Sequence, residues 1–178
     1  MKNKIAVWDF DGTLIDTPLP DAGRITYEKK TGQPWPHKGW WGQADSLDTS
    51  VFEMPVIKSV GDDYNTEKAN PNTVMVLLTG RLVKLGSIVK KVLDEKGLTF
   101  DEYHYNTGGS TDDFKIKTLT KLVEKYPNCE VEMWEDRMEH IPLFEQWGKS
   151  MVLEGKITDR SEEHTSEPPV TLIYLVCR

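Results

Sequence analysis

The chain has 178 residues, the length of one domain, with 22 Lys and Arg against 29 Asp and Glu and a net charge of −7. That acidity argues against an extended nucleic-acid-coating surface while leaving room for a small basic patch at a site. No stretch reaches the roughly 20 apolar residues of a membrane span, the Met-Lys-Asn-Lys start has no leader pattern, and Cys129 and Cys177 offer neither a disulfide framework nor a zinc spacing. A reducing, cytoplasmic setting without membrane contact is the expectation.

The first element is the apolar run Ile5-Ala-Val-Trp8, which ends in Asp9-Phe-Asp11-Gly12-Thr13. Continuous apolarity fits a strand buried on both faces. Residues two apart in a strand share a side, so extended backbone through residue 11 would point both carboxylates the same way. Paired carboxylates repel unless a cation joins them. Mg2+, a hard ion with oxygen ligands, fits that need. One aspartate can then serve as nucleophile and the other as acid and base.

Residues 15–73 are rich in Pro, Gly, Trp and polar residues and read as an insertion or cap, with a short helix around Ala22–Lys30. Trp35, Trp40 and Trp41 cluster there beside His37 and Lys38. They read either as the core of a small insertion or as a stacking platform for a base or sugar. Asn72 to Leu78 is a second buried-type strand, ending in Thr79-Gly80-Arg81. Leu82, Leu85, Val89, Val92 and Leu93 repeat at helical spacing and Gly97 supplies the stop. Phe100–Asn106 is expected as a third strand, and Ser110-Thr-Asp-Asp113 as the capped start of a helix that carries Lys115. Glu130–Arg137 reads as a fourth strand with the acidic end Glu135-Asp136. A helix bearing Ile141, Phe144 and Trp147 follows, and Ser150–Glu154 is expected as the last core strand. Alternating strands and helices predict an α/β fold, a Rossmann-like parallel sheet covered by helices on both faces. Ligands of such sheets bind outside the carboxyl ends of the strands.

Those strand ends carry Asp9/Asp11, Thr79/Arg81 and Glu135/Asp136/Arg137, with Lys115 in a helix's first turn. In order and placement the set resembles the four motifs of the haloacid dehalogenase (HAD) superfamily, mostly Mg2+-dependent phosphatases. The resemblance covers about residues 1–14 and 74–155, essentially the whole of the expected catalytic core at 1–14 and 74–158. Leu-Thr-Gly-Arg (78–81), Phe114-Lys115 and Glu-Asp-Arg-x-x-His (135–140) look like the HAD domain of the Swiss Army Knife RNA repair group. The Gly-Arg and acidic-Asp-Arg segments are also similar to the phosphatase domain of polynucleotide kinase-phosphatase.

The resemblance implies that Asp9 is the nucleophile, Asp11 the acid and base, and Thr79 and Lys115 the phosphoryl-binding pair. It implies Mg2+ on the Asp9 carboxylate, the Asp11 backbone carbonyl and Asp136, with Glu135 acting at one remove because it replaces the commoner Asp. Gly12, Thr13 and Gly80 would line the phosphate, and Arg81 and Arg137 would bind it or brace carboxylates. His140 reads as a structural hydrogen-bonding residue. The implied substrate is a phosphorylated molecule, among them a nucleic-acid or nucleotide end. A small-metabolite phosphatase and a non-catalytic phosphate-binding domain are the rival readings. Arg160–Glu167 resembles the translation of a sequencing-library adapter, so residues 159–178 are expected to be non-native.

Overall fold

The computed structural model describes residues 2–157 and the backbone of 173–175. Five strands, β1 (Lys4–Trp8), β2 (Thr73–Leu82), β3 (Glu102–Asn106), β4 (Glu130–Glu135) and β5 (Ile173–Leu175), form one sheet in the order β3-β2-β1-β4-β5. All four pairings are parallel. The chain leaves β1 first towards β2 and later returns to its other side as β4, so the strand order reverses at β1. A crevice opens at the carboxyl end of the sheet at such a point.

The alternation of β1 sends its residues to two cores, as the pleat requires. Ala6 and Trp8 join Met75, Leu77 and Trp134 on the face covered by α2 (Lys58–Ala69) and α3 (Gly86–Glu95), through Val60, Tyr64, Val89 and Leu93. Ile5 and Val7 join Val74, Val76, Leu78 and Met133 on the other face. There α4 (Thr111–Lys125) and α5 (Ile141–Leu153) contribute Leu119, Leu122, Phe144 and Met151. Trp8 and Trp134, paired in register on neighbouring strands, stack at 3.6 Å. This stack sits one residue before Asp9.

Residues 15–73 contain α1 (Pro20–Thr31), a 3₁₀ turn at Ala44–Leu47, and α2. Of these, α2 is the crossover that returns the chain from β1 to β2, and the segment shares its core with the sheet through Trp40, Leu47, Phe52 and Met54. Pro20 opens α1, where its missing N–H costs nothing. Trp40 is buried against that helix, its Nε1 donating to the Pro18 carbonyl at 3.0 Å. Gly23 makes room for it, since a Cβ there would lie 2.1 Å from the Trp40 ring. Trp35 packs on Trp40 at 4.5 Å, whereas Trp41 keeps an exposed face.

One expected element differs. Ser150–Glu154 is not a core strand, because α5 continues through Leu153. Ile141, Phe144, Gly148 and Met151 keep one stripe buried at steps of three and four residues, a helical period that runs through the short apolar stretch Met-Val-Leu. Leu153 is 88% exposed, and Gly155 at φ 67° ends the run. The sheet position beside β4 is held by β5 instead, Ile173 pairing with Met133. The rest of the tail expected to be non-native, up to residue 172 and from 176 on, lies outside the described residues.

Candidate active site

The carboxyl ends of β1, β2 and β4 meet at the reversal point, and the first turn of α4 closes over them. Asp9 follows β1 directly, its N–H donating to the Trp134 carbonyl at 3.1 Å, and it is 5% exposed. Lys115, fully buried, reaches inward from α4 to Asp9 Oδ1 at 3.1 Å and Glu135 Oε2 at 2.6 Å. Ser110 caps that helix by accepting from the Asp113 N–H at 3.4 Å, which sets the turn that carries Lys115.

A buried ammonium between two buried carboxylates decides the charge state. Burial alone would lower the Lys115 pKa, but Asp9 and Glu135 outweigh it and the net shift is upward. Burial would raise Glu135, yet His140 and Lys115 hold it at about 2. His140 lies between two acids, Nε2 at 2.9 Å from Asp112 and Nδ1 at 3.8 Å from Glu135. The second distance is a charge contact rather than a hydrogen bond. Glu135 and Asp112 both push the imidazole upward. Asp9 goes the other way: burial, with Glu135 and Asp11 adding repulsion against the pull of Lys115, raises it to about 7. Asp136, half-buried, is also raised, by burial and then by Glu135.

One cation more would relieve both aspartates. Carboxylate oxygens of Asp9, Glu135 and Asp136 lie within 4.8 Å of one another, a hard-oxygen set that suits Mg2+. Gly12 keeps the space beside them open, since a Cβ there would sit 2.3 Å from Asp136 Oδ2, and its φ of +71° suits glycine. Thr13 steadies Asp136 by donating to its Oδ1 at 3.3 Å.

Asp11 stands apart from that group. Arg81, 2% exposed, grips its carboxylate with two donors, Nε to Oδ2 at 2.9 Å and Nη2 to Oδ1 at 2.7 Å. Thr17 donates to Oδ1 at 2.8 Å. The remaining Arg81 nitrogen donates to the Trp41 carbonyl at 2.7 Å and to Ser46 Oγ at 2.8 Å, with the Trp41 ring 5.0 Å from the guanidinium carbon. Of the two roles open to Arg81, this geometry is the carboxylate brace. Arg137 is exposed beside Asp136, with only its N–H turned inward, onto Glu135 Oε1 at 3.2 Å. Thr79 is buried, and its Oγ1 accepts from the Arg81 N–H at 3.1 Å. Gly80 lies against Thr111, 3.0 Å from where its Cβ would be. Gly12 spends its N–H on the Ile15 carbonyl at 2.9 Å, so conformation and space are what it contributes.

Sequence reasoning missed Thr17, Ser46 and Asp112. Thr17 stands in the Thr-Pro-x-Pro segment and could have been suspected from it. Ser46 and Asp112 carry no local signal, because only the fold brings them to Arg81 and His140.

A parallel sheet in this order, with carboxylates at the ends of β1 and β4 and a lysine from α4 between them, defines a HAD-type domain. Residues 29–173 match the family described as HAD domain family 1 in Swiss Army Knife RNA repair proteins, and the chain belongs to that family. Among curated proteins it is similar to the uncharacterized protein YMR265C of Saccharomyces cerevisiae, 22% identical over 84% of this chain and 38% of that protein. The chain thus spans well under half of that relative. Among solved structures, a chain of the Pnkp1/Rnl/Hen1 complex shares the fold, with a TM-score of 0.57 and 13% identity over 82% of this chain and 43% of the other. So does the haloacid dehalogenase-like hydrolase SP0104 from Streptococcus pneumoniae, with a TM-score of 0.50 and 12% identity over 82% and 81%. No helix among the described residues is long and apolar enough to cross a membrane.

Proposed function

We propose that the domain is a Mg2+-dependent phosphohydrolase that removes a terminal phosphate from a nucleic-acid or nucleotide end through an aspartyl-phosphate. The observation that carries this reading is Lys115 seated between Asp9 and Glu135, with Asp136 completing the acidic group. The link to nucleic-acid ends rests on the family and on the RNA repair complex whose fold is similar.

Asp9, Asp136 and the Asp11 carbonyl would hold the metal, with Glu135 close behind them. Bound there, Mg2+ supplies charge to offset the phosphoryl oxygens. Asp9 attacks phosphorus in line, the bond to the leaving oxygen breaks, and the phosphoryl group rests on Asp9. Lys115 and the Thr79 hydroxyl offset charge on the equatorial oxygens. The Asp11 carboxylate then takes a proton from the water that attacks phosphorus, the bond from phosphorus to Asp9 breaks, and inorganic phosphate leaves with Asp9 restored. In the resting site both Asp11 oxygens accept hydrogen bonds, so the carboxylate is oriented as a base. In the first step Asp11 must instead carry a proton, turn that oxygen off the Arg81 fork and give the proton to the leaving oxygen, which yields the carboxylate used as base in the second step.

The test is Mg2+-dependent phosphate release from oligonucleotides bearing a 3′- or a 5′-phosphate, beside an aryl phosphate. Release from one oligonucleotide end is expected. Release from the aryl phosphate alone would replace end trimming by a small-metabolite activity, and no release from any of them would leave an untested substrate or a phosphate-binding domain, which a wider metabolite panel separates.

Metal binding should also be linked to protons, because Asp9 sits at about 7 in the metal-free site. Its raised value means that Asp9 favours folding at low pH and that this contribution is lost as pH climbs from about 4 through 7. Mg2+ must displace that proton below 7 and meets a ready carboxylate above it. Mg2+ is therefore expected to raise Tm by more at pH 8 than at pH 5.5 in thermal unfolding. Equal shifts at both pH values would remove Asp9 from the ligand set.

A further inference from the structure

Beside the carboxylate site, rather than over it, runs a groove of about 640 Å³ between α4 and the free edge of the sheet at β3. His104, Phe114 and Thr118 line it, together with Lys117, Lys121 and Lys125. The three lysines are exposed on successive turns of one helix face, about 6 Å apart along the axis. Lys115 and Lys117 point to opposite sides of that helix, so α4 presents one lysine to Asp9 and a row of lysines to the groove.

The row is of one sign along its face. On α2 and α3, Lys58, Lys90 and Lys91 each meet a carboxylate one turn on, Asp62, Asp94 and Glu95. On α4 the residue four after Lys117 is Lys121, and the residue four after that is Lys125. Lys117 and Lys121 have no carboxylate partner among the described residues. Lys125 pairs with Glu102 at 2.9 Å, and Glu102 also accepts from Tyr126 at 2.5 Å, which leaves Asp113 as the other acid in the lining. In a chain of net charge −7, Lys117, Lys121 and Lys125 give the groove one continuous basic edge.

We propose that this groove binds the body of a single-stranded nucleic acid whose end lies in the Asp9 site, its phosphates running along Lys117 and Lys121. This deepens the end-trimming reading and rests on it for the direction of the strand. The groove ends at Gly108–Ser110, and the next residue, Thr111, packs on Gly80 beside Thr79. A strand leaving the site therefore passes from the start of α4 directly onto the lysine row. Phe114, half-buried against the core, lines the groove near that entrance and is the aromatic side chain of α4 closest to it. The lysine row supplies charge without base-edge readout, so affinity should depend on salt more than on sequence.

The test uses the full chain and fluorescent single-stranded RNA and DNA 12-mers without a terminal phosphate, read by anisotropy over a salt series. Hydrolysis does not enter this measurement, so it stands or falls apart from the phosphatase reading. Lys117→Glu/Lys121→Glu is expected to weaken binding at least about tenfold and to lower the salt slope by about 2. Thermal unfolding of the same variant should match the parent, which shows that it folds, and Mg2+-dependent turnover of an aryl phosphate should be unchanged. Unchanged strand binding, or lysine-dependent binding of an acidic peptide with none of RNA or DNA, would overturn the proposal.

Discussion

Replacing Asp9 with asparagine is expected to abolish phosphate release while leaving the domain folded. The amide keeps the shape of the carboxylate at a position 5% exposed, so the end of β1 has no reason to move. What it loses is the nucleophile, and loss of a covalent nucleophile typically costs more than about 10⁴ in rate. Stability should change by no more than about 1 kcal/mol, because two effects oppose each other. Asparagine removes the repulsion that Glu135 and Asp11 exert on a buried charge. It also deprives Lys115 of one of two partners, although the contact with Glu135 at 2.6 Å remains. Phosphate release and thermal unfolding of the two proteins side by side measure both quantities. Turnover that survives in Asp9→Asn would end the aspartyl-phosphate mechanism, whereas an unfolded variant would mean that the charge on Asp9 helps hold the site together.

How much of this site the sequence disclosed depends on whether a residue's partner is local. Asp9, Asp11 and Lys115 were legible because strand ends and a capped helix start are written in neighbouring residues. The continuous apolarity of β1 announced burial on both faces in the same way. Ser150–Glu154 was misread because Met-Val-Leu is apolar at every position, and a run that short does not separate strand from helix. The buried stripe of α5, set by residues up to ten positions earlier, decides it. Arg81 could have bound substrate or braced a carboxylate, and its sequence neighbourhood is the same in both cases. Its partners lie 70, 40 and 35 residues away, brought together by the fold. The lysines of α4 are visible as a spacing, but that Lys117, Lys121 and Lys125 line a groove depends on what β3 places opposite them.

Those distant partners make Arg81 the residue whose loss should cost the domain most stability. Its fork meets the Asp11 carboxylate with two parallel donors, and its third nitrogen ties down the Trp41 carbonyl and Ser46 Oγ. One side chain thus holds Asp11, the proposed acid and base, and the segment before α2 in a common arrangement. Arg81→Met would strand a carboxylate whose side chain is 16% exposed, beside two acceptors stripped of their donor. Removing one partner of a buried pair costs about 3–5 kcal/mol, and a loss of that size in denaturant unfolding is expected. Arg81→Lys should recover less than half of it, because an ammonium is a point donor and cannot span both oxygens and the Trp41 carbonyl together. Turnover in Arg81→Lys should fall more in kcat than in KM, since Asp11 loses its orientation while Asp9, Lys115 and the acidic group are untouched. The double variant Asp11→Asn/Arg81→Met should be more stable than Arg81→Met alone, because the stranded charge is gone. If Arg81→Lys unfolds and turns over like the parent, charge alone suffices at this position and the fork is not what orients Asp11.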